Sequence, residues 1–374
     1  GVPTTLTEVH RGGFKVHRIL FEDEHYCLRT TRLRQATLVA LIDTLQEQYG
    51  LEDTRISAAE KVITFLDYCA NKKTFREMRR VYQHSYLSFT RHLTTMLRCL
   101  CRMFKNTAPN PSLGEPHFDV RNTDDNRNRY FNKCIGALDG THIPISMRGA
   151  SEHGAWRNPK GWPSQNVLFV CDFDLNIVFV QPGYEGSATD ETVLGRAIQN
   201  GFHVPPTHYY LGDGGYSEEN RMLLVPYQGV RYHLREQADA SSQPSTKEEL
   251  FNLRHARLRN CVERLNDVLK KRWRIIRDGP GQGSTIKKQV LFVWAISAVH
   301  NFINQHGQAE DEDDFLRELP DNPTVDDQDE GGAAQNNGGA AQDDQPEVLS
   351  DNEMVRFRDT LAREMWENLL IEDS

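Results

Sequence analysis

The sequence predicts an α/β protein: a mixed sheet flanked by helices, preceded by an all-helical region and followed by a tethered helix. Three observations predict it. Apolar residues recur at spacings of three and four before about residue 105, then fall into short continuous runs from about 130 onward. Helix-start signals of the Ser/Thr-x-x-Glu type mark the first part, whereas KCIGALD, NVLFVCD, IVFVQP and HYYLGD in the second part are too short for helices and read as strands. From residue 308 the composition narrows to Asp, Glu, Gly, Ala and Gln, and helical period returns only after 350.

Four segments follow: 1–128, helical plus a linker; 129–307, the sheet domain; 308–349, an acidic linker; and 350–374, an amphipathic helix. In the first, residues 1–31 show little periodicity and are expected to form an extended arm with one short element. A helix is expected over 32–49, another after the Ser57/Glu60 capping pair, a short one after Thr74/Glu77, and a long one from Tyr86 to about Phe104. The short middle connection fits a helix-turn-helix that shows Tyr86, Ser88, Arg91 and His92 to a DNA groove. A plain helical bundle fits the same pattern. Residues 105–128, rich in Pro, Asn and Asp, read as the linker.

In the second segment, Lys133–Asp139 reads as a central strand, Asn166–Asp172 and Ile177–Pro182 as a hairpin, and His208–Asp213 as a further strand. A helix begins near Ser187, with Asp190 as the acidic partner of its capping box. A loop-rich insertion runs to about Lys247. Leu253–Trp273 then forms one helix with Leu258, Val262, Leu265, Leu269 and Trp273 as its buried stripe, and an apolar helix follows near Ile286–Ile303.

Charge divides the chain unequally. Residues 308–374 hold 21 Asp and Glu against 4 Lys and Arg, while 1–307 hold 40 basic against 32 acidic residues, so the body is basic although the whole chain carries −9. A basic body favours a polyanionic partner. The acidic segment cannot bury enough to fold. It could act as an internal DNA mimic or as a plain solvated linker. The seven cysteines are odd in number and none has CxxC spacing, which argues against a structural zinc site and fits reduced thiols in an intracellular protein. No run reaches the length of a membrane span, and no secretory signal is visible.

The chemistry rests on three acids. Asp139 and Asp213 each close a predicted strand and each precede Gly, so a sharp turn is expected to leave both carboxylates at strand tips. Glu263 lies at the rim of the long helix, ringed by Arg254, Arg257, Arg259, Arg264, Lys270, Lys271 and Arg272. Carboxylates brought this close cannot all stay ionised without a cation, and hard oxygen donors suit Mg²⁺ or Mn²⁺. Two such ions about 4 Å apart are the usual device for phosphodiester chemistry. Arg148, Arg157 and Lys160, with Trp156 and Trp162, form a basic-aromatic loop fit for phosphate contact and base stacking, and equally an ordinary exposed loop. His142, just past Asp139, is placed to contact substrate or to serve the strand.

The blocks LDGTHIPI, QNVLFVCDFD, GYEGSATDETVL, YYLGDGGY, VPYQGVRYHL and ELFNLRHARLRNCVERLNDVLKKRWRI resemble, in this order, the nuclease domain of PIF/Harbinger transposases, themselves related to IS5-type transposases. The resemblance covers roughly 130–305, with weaker likeness over 57–104. It implies an RNase H-like fold and a DDE site carried by Asp139, Asp213 and Glu263, which also bind two Mg²⁺ or Mn²⁺ ions. It further implies cleavage at terminal inverted repeats, joining into a short A/T-rich target, a Myb-like DNA-binding partner that assists nuclear entry, and a homo-oligomer. Phosphate contact would then fall to Arg148, Arg157, Lys160, Arg259, Lys270 and Lys271 around the acids and to Arg91 in the helical region. Two positions depart from the family pattern: Thr189 stands where His is common, and Leu265–Lys270 replaces the usual segment after the glutamate. A second function is compatible with the same residues, that of a domesticated DNA- or chromatin-binding adaptor. A repair-type nuclease on the same fold is a third.

Overall fold

A computed structural model of the chain describes residues 11–109, 129–147, 153–230, 244–281, 284–307 and 353–372. Arg148, His233 and the acidic segment fall outside these residues.

The first region is helical from Arg11, the first described residue. α1 (Arg11–His17), a π-helical turn (Arg18–Glu22) and α2 (Glu24–Thr31) stand where an extended arm was expected. Ile19, Cys27 and Leu28 bury themselves, but in such short helices they are too few to show a period. Next come α3 (Gln35–Tyr49), α4 (Ala58–Asn71), α5 (Phe75–Tyr82) and α6 (Tyr86–Thr107). The Ser57 hydroxyl accepts from the Glu60 amide, and Thr74 with Glu77 completes a reciprocal capping box.

The sheet domain has five strands: β1 (Cys134–Pro144), β2 (Ser164–Cys171), β3 (Ile177–Glu185), β4 (Tyr209–Leu211) and β5 (Leu223–Leu224). Their order is β3-β2-β1-β4-β5. The first three form an antiparallel meander, and β4 and β5 extend it in parallel with β1. β5 lies inside the stretch read from sequence as a loop-rich insertion; two residues are too few to carry a strand pattern. The helices of this domain are α7 (His153–Trp156), α8 (Asp190–Gln199), α9 (Lys247–Arg272), α10 (Arg274–Arg277) and α11 (Ile286–His306).

Strand alternation sorts the two faces. Ala137, Val167 and Phe169 join the core that holds Val262, Leu265 and Leu269 of α9 and Phe292 and Val293 of α11. Leu138, Leu168 and Val170 face the other way, onto Val193, Leu194 and Ala197 of α8. The alternation slips at Gly136, where the β1–β4 register shifts. A Cβ there would stand 1.9 Å from the Cys171 carbonyl oxygen, and φ is +149°, so only glycine fits.

The larger core continues into the N-terminal helices. Phe65 stacks on Phe292 with centroids 6.1 Å apart, Phe104 meets Trp294 edge-on at 5.4 Å, and Lys72 donates to the Asp278 carbonyl at 2.6 Å. The C-terminal helix α12 (Glu353–Glu372) settles on its own body, burying Leu361, Ala362 and Met365 in the same core. Among the described residues no helix is long and apolar enough to cross a membrane.

Candidate active site

The register brings two of the acids together. Ala137 of β1 pairs with Leu211 of β4 across a parallel junction. Asp139 and Asp213 each lie two residues further on, so they leave the pairing at the same height. Asp139 does not end its strand. β1 runs on to Pro144, paired only with β2, through Thr141↔Val167 and Ile143↔Gln165. Nor does Gly140 turn the chain. Its missing side chain opens room for a neighbour: a Cβ at Gly140 would lie 2.1 Å from Asp190 Oδ1. Asp213 does begin a turn, its carboxylate accepting from the Gly215 amide at 2.9 Å.

Asp190 therefore belongs to the site, and its role as partner of Ser187 in a cap is corrected. α8 is capped by Thr189, whose hydroxyl accepts from the Thr192 amide at 3.3 Å. That frees the Asp190 carboxylate to reach the strand, where Asn166 Nδ2 donates to it at 2.7 Å. The sequence signal was present but ambiguous: Ser187 and Thr189 both offer a cap, and only the second leaves Asp190 in the first helical turn pointing at β1. A glycine inside a strand next to an aspartate was the other signal.

The electrostatics report the convergence. Burial pushes the Asp139 carboxyl up, Arg259 draws it down, and Asp213, Asp190 and Glu263 push it up again; the balance is about 7. Asp190 is raised too, by burial first, with the Asn166 bond opposing and Asp213 adding to it. Beneath them the buried Tyr216 hydroxyl is held far above its ordinary range by burial and by Asp190, Asp139 and Asp213. Asn266 Nδ2, one turn along α9 from Val262, lies 3.5 Å from Asp139 Oδ2. Period two places Asp139 on the α9 face with Ala137, which is why this helix supplies Arg259, Glu263 and Asn266 to its surroundings, while Asp190 comes from α8.

Glu263 is less committed. Its Oε1 lies 3.1 Å from Arg259, one turn back, and its side chain stays 53% exposed. Among the described residues no group of three or more His, Cys, Asp or Glu is arranged to hold a metal ion. The donors nonetheless suit one. All are hard oxygens, and the buried Asn166 Oδ1, Asn266 Oδ1 and Tyr216 hydroxyl have no hydrogen-bond partner. A mutually repelling set of carboxylates opposed by one guanidinium is the environment a divalent cation relieves.

The basic residues divide. Arg259 faces the acids. Lys271 is exposed and Lys270 half-buried two turns beyond Glu263. Arg157 and Lys160 are exposed on the loop after β1, which folds back so that the Ser187 amide donates to the Ala155 carbonyl at 3.0 Å. The Arg157 guanidinium donates to the Gly161 carbonyl. His142 sits in this corner, Nδ1 3.1 Å from Ser164 Oγ and its ring edge-on to Trp162 at 6.2 Å. His255 belongs to the core: it is buried against the Leu224 carbonyl at 2.9 Å, and burial takes it down to about 3. Arg91 is exposed on α6, in line with Arg98, Arg102 and Lys105. That helix has no acidic residue, nor has α11 beside it, which adds an exposed Lys287. These five cations form no ion pair among the described residues.

The fold and the cluster of acids fit the class that the family comparison returns: residues 138–301 match the family described as DDE superfamily endonuclease. Over that stretch the chain is similar to DDE-superfamily endonucleases and to Harbinger-derived nucleases. It is 24% identical over 176 residues to the HARBI1 protein of Xenopus laevis, 27% over 177 residues to that of Rattus norvegicus and 25% over 179 residues to that of Homo sapiens, proteins whose names mark them as candidate nucleases. Each match covers 46% of this chain and 46% of the relative, so the chain spans about half the length of the curated proteins it matches. Residues 7–102 match a domain of unknown function. No solved structure matches.

Proposed function

We propose that the protein is a metal-dependent DDE nuclease that cuts and joins DNA strands, as a transposase does, with Asp139, Asp213 and Glu263 as its catalytic acids and Asp190 beside them. The observation that carries this reading is the Asp139 carboxyl, pushed up to about 7 by burial and by three acids from three other segments of the chain. An antiparallel meander extended by two parallel strands, with acids at the parallel junction, supports an RNase H-like fold.

Asp139, Asp213 and Glu263 would hold two Mg²⁺ or Mn²⁺ ions, which supply charge neutralisation for the attacking and leaving oxygens of a phosphodiester. The chain's own residues do the remaining work. Asp139 must give up its proton for the site to load, so loading is favoured above about pH 7. Arg259 offsets part of the cluster's negative charge and pairs with Glu263. Arg157 and Lys160, with Trp162, flank the acids where a phosphate backbone would enter; Arg148, outside the described residues, is proposed as a further contact from the sequence alone. Lys270 and Lys271 flank them on the helix, and Arg91 heads the basic ledge of α6 and α11 as a second contact. The same reading gives terminal inverted repeats and an A/T-rich target as substrate, a nuclear location, a Myb-like partner and a homo-oligomer.

The test is cleavage of duplexes carrying candidate repeat ends, with Mg²⁺, Mn²⁺ or a chelator. Cleavage should need metal and vanish in Asp139→Ala and Asp213→Ala while DNA binding persists. Cutting that survives in those variants overturns the assignment. One observation favours a second reading, a DNA-binding adaptor without catalysis: Glu263 turns to Arg259 rather than to the aspartates. DNA binding with no cutting, under every metal and with the partner supplied, would select it.

A further inference from the structure

The loop that carries Asp213, residues 212–228, is held from three sides. From α8, Glu191 accepts the Ser217 amide at 3.1 Å. From α9, Asn252 exchanges two hydrogen bonds with the Tyr227 backbone, at 2.9 and 3.0 Å. The third hold comes from α12, more than a hundred residues later in the sequence. Arg358 is 7% exposed at its side chain and pairs with Glu218 at 3.0 Å. It also donates to the Pro226 carbonyl at 3.4 Å and lies over the Tyr227 ring at 4.0 Å. The Tyr227 hydroxyl donates in turn to Asp359 at 2.7 Å. Within the loop, Gln228 reaches back to the Gly214 carbonyl at 3.2 Å, one residue from Asp213.

These contacts differ from ordinary helix docking. Apolar burial through Leu361, Ala362 and Met365 is enough to seat α12. A buried arginine adds a desolvation cost that only well-made polar contacts offset. Here those contacts all fall on one loop, the one that begins with a catalytic acid. β4 and β5 are three and two residues long, so the sheet alone fixes that loop weakly.

We infer that α12 is a positioning element of the active site: Arg358 and Asp359 clamp residues 218–227 and thereby fix the Asp213 carboxylate relative to Asp139. Neither residue touches the reacting atoms. The inference rests on the proposed catalytic role of Asp213. It adds that a helix outside the matched nuclease domain, joined to it by a long acidic stretch, controls metal loading.

The experiment uses the full chain and two variants that loosen the clamp differently. Arg358→Met removes the polar contacts and keeps the bulk; Met365→Glu undocks the helix from its apolar side. Three readouts are taken: amide exchange over 212–228, Mn²⁺ affinity by titration calorimetry, and the split between kcat and KM for cleavage. Both variants should exchange faster at 212–228 than wild type, with protection of β1 and β2 unchanged. Mn²⁺ should bind about tenfold more weakly, and kcat should fall about 10–100-fold with KM for DNA within twofold, because an ångström of misplacement costs that much. Arg358→Lys should recover part of each. Exchange and Mn²⁺ affinity equal to wild type in both variants would overturn the inference, even where no cutting is detected in any form. If wild type does not cut but the exchange and affinity changes appear, the clamp stands and the nuclease reading fails.

Discussion

Two aspartates in this molecule, one fully buried and one half-buried, have opposite fates. Asp67, on α4, has no exposed side-chain surface and is met by Lys15 at 2.8 Å, Lys73 at 2.6 Å, the Tyr82 hydroxyl at 2.8 Å and Asn71 Nδ2 at 2.8 Å. Burial alone would push its carboxyl up, but the two lysines hold it below the ordinary range. Asp139 has one guanidinium and three carboxylates for company, and is pushed up to about 7. The first aspartate is complete within the fold and ties α1, α4 and α5 together. The second gathers negative charge around it, opposed by one guanidinium. Burial raises both; the sign of the neighbours separates a structural knot from a candidate catalytic centre.

The sharpest break in that comparison is functional. Asp139→Ala and Asp213→Ala should each lower metal-dependent cleavage by about 10³–10⁴-fold, with DNA affinity within a few-fold of wild type. Asp67→Ala should do the reverse. It strands Lys15 and Lys73 in a buried site and should cost about 3–5 kcal/mol of folding stability by denaturant melts, with per-molecule cleavage retained under conditions where the variant is folded.

Next in size is a pH effect of opposite sign at the two sites. A carboxyl raised in the folded state binds a proton there that the unfolded chain releases near 4. Stability is therefore full below about pH 4 and lost as pH rises to about 7. Asp139→Asn removes that loss, so the variant should exceed wild type by on the order of 2 kcal/mol at pH 8 and match it at pH 4. The figure is below what the whole shift implies because Asp139 keeps some path to solvent. Asp67 is lowered, so its contribution is present above the unfolded value and lost as pH falls below it. A stabilisation of Asp139→Asn that is flat with pH would separate Asp139 from the repulsion argued above.

A smaller probe tests whether Asp190 belongs with the acids. Gly140→Ala should force its carboxylate away from the strand, costing about 1–3 kcal/mol from overpacking and weakening Mn²⁺ binding. The sequence made most of the fold readable and part of the site. β1, β2, β3, α8, α9 and α11 were visible because each buries enough residues to show a period. The π-helical turn, β4's true length and β5 were not, being set by tertiary contact in very short segments. Asp139 and Asp213 were singled out through their Asp-Gly steps and Glu263 through its place beside the helix stripe; the structure brings the two aspartates to one height and pairs Glu263 with Arg259. The reason given for Asp139 was wrong, since Gly140 makes room for Asp190 rather than turning the chain. Asp190 itself was hidden behind two competing caps, a choice decided by space at β1 that local spacing cannot contain.

The smallest expected effect concerns the ledge of Arg91, Arg98, Arg102, Lys105 and Lys287, the counterpart in cations of what Asp139 shows in anions. Some arginines elsewhere are engaged: Arg18 with Asp23, Arg277 with Asp278, Arg358 with Glu218. On α6 and α11 no acidic residue is supplied at all. If this surface tracks a phosphate backbone, each cation displaces about one condensed counterion, and the slope of log K against log salt falls by about 0.9 for every contact removed. Arg98→Gln with Arg102→Gln should therefore lower that slope by nearly 2 and weaken binding several-fold at 0.1 M salt, equally for repeat ends and random duplex, because phosphate contacts position without reading sequence. Arg91→Gln at the head of α6 distinguishes the groove-reading alternative. A loss confined to repeat-end DNA would mean that this end of the helix reads bases, whereas a uniform loss makes it one more phosphate contact. An unchanged slope in the double variant would leave the ledge as a solvated face and confine DNA contact to the surroundings of the acids.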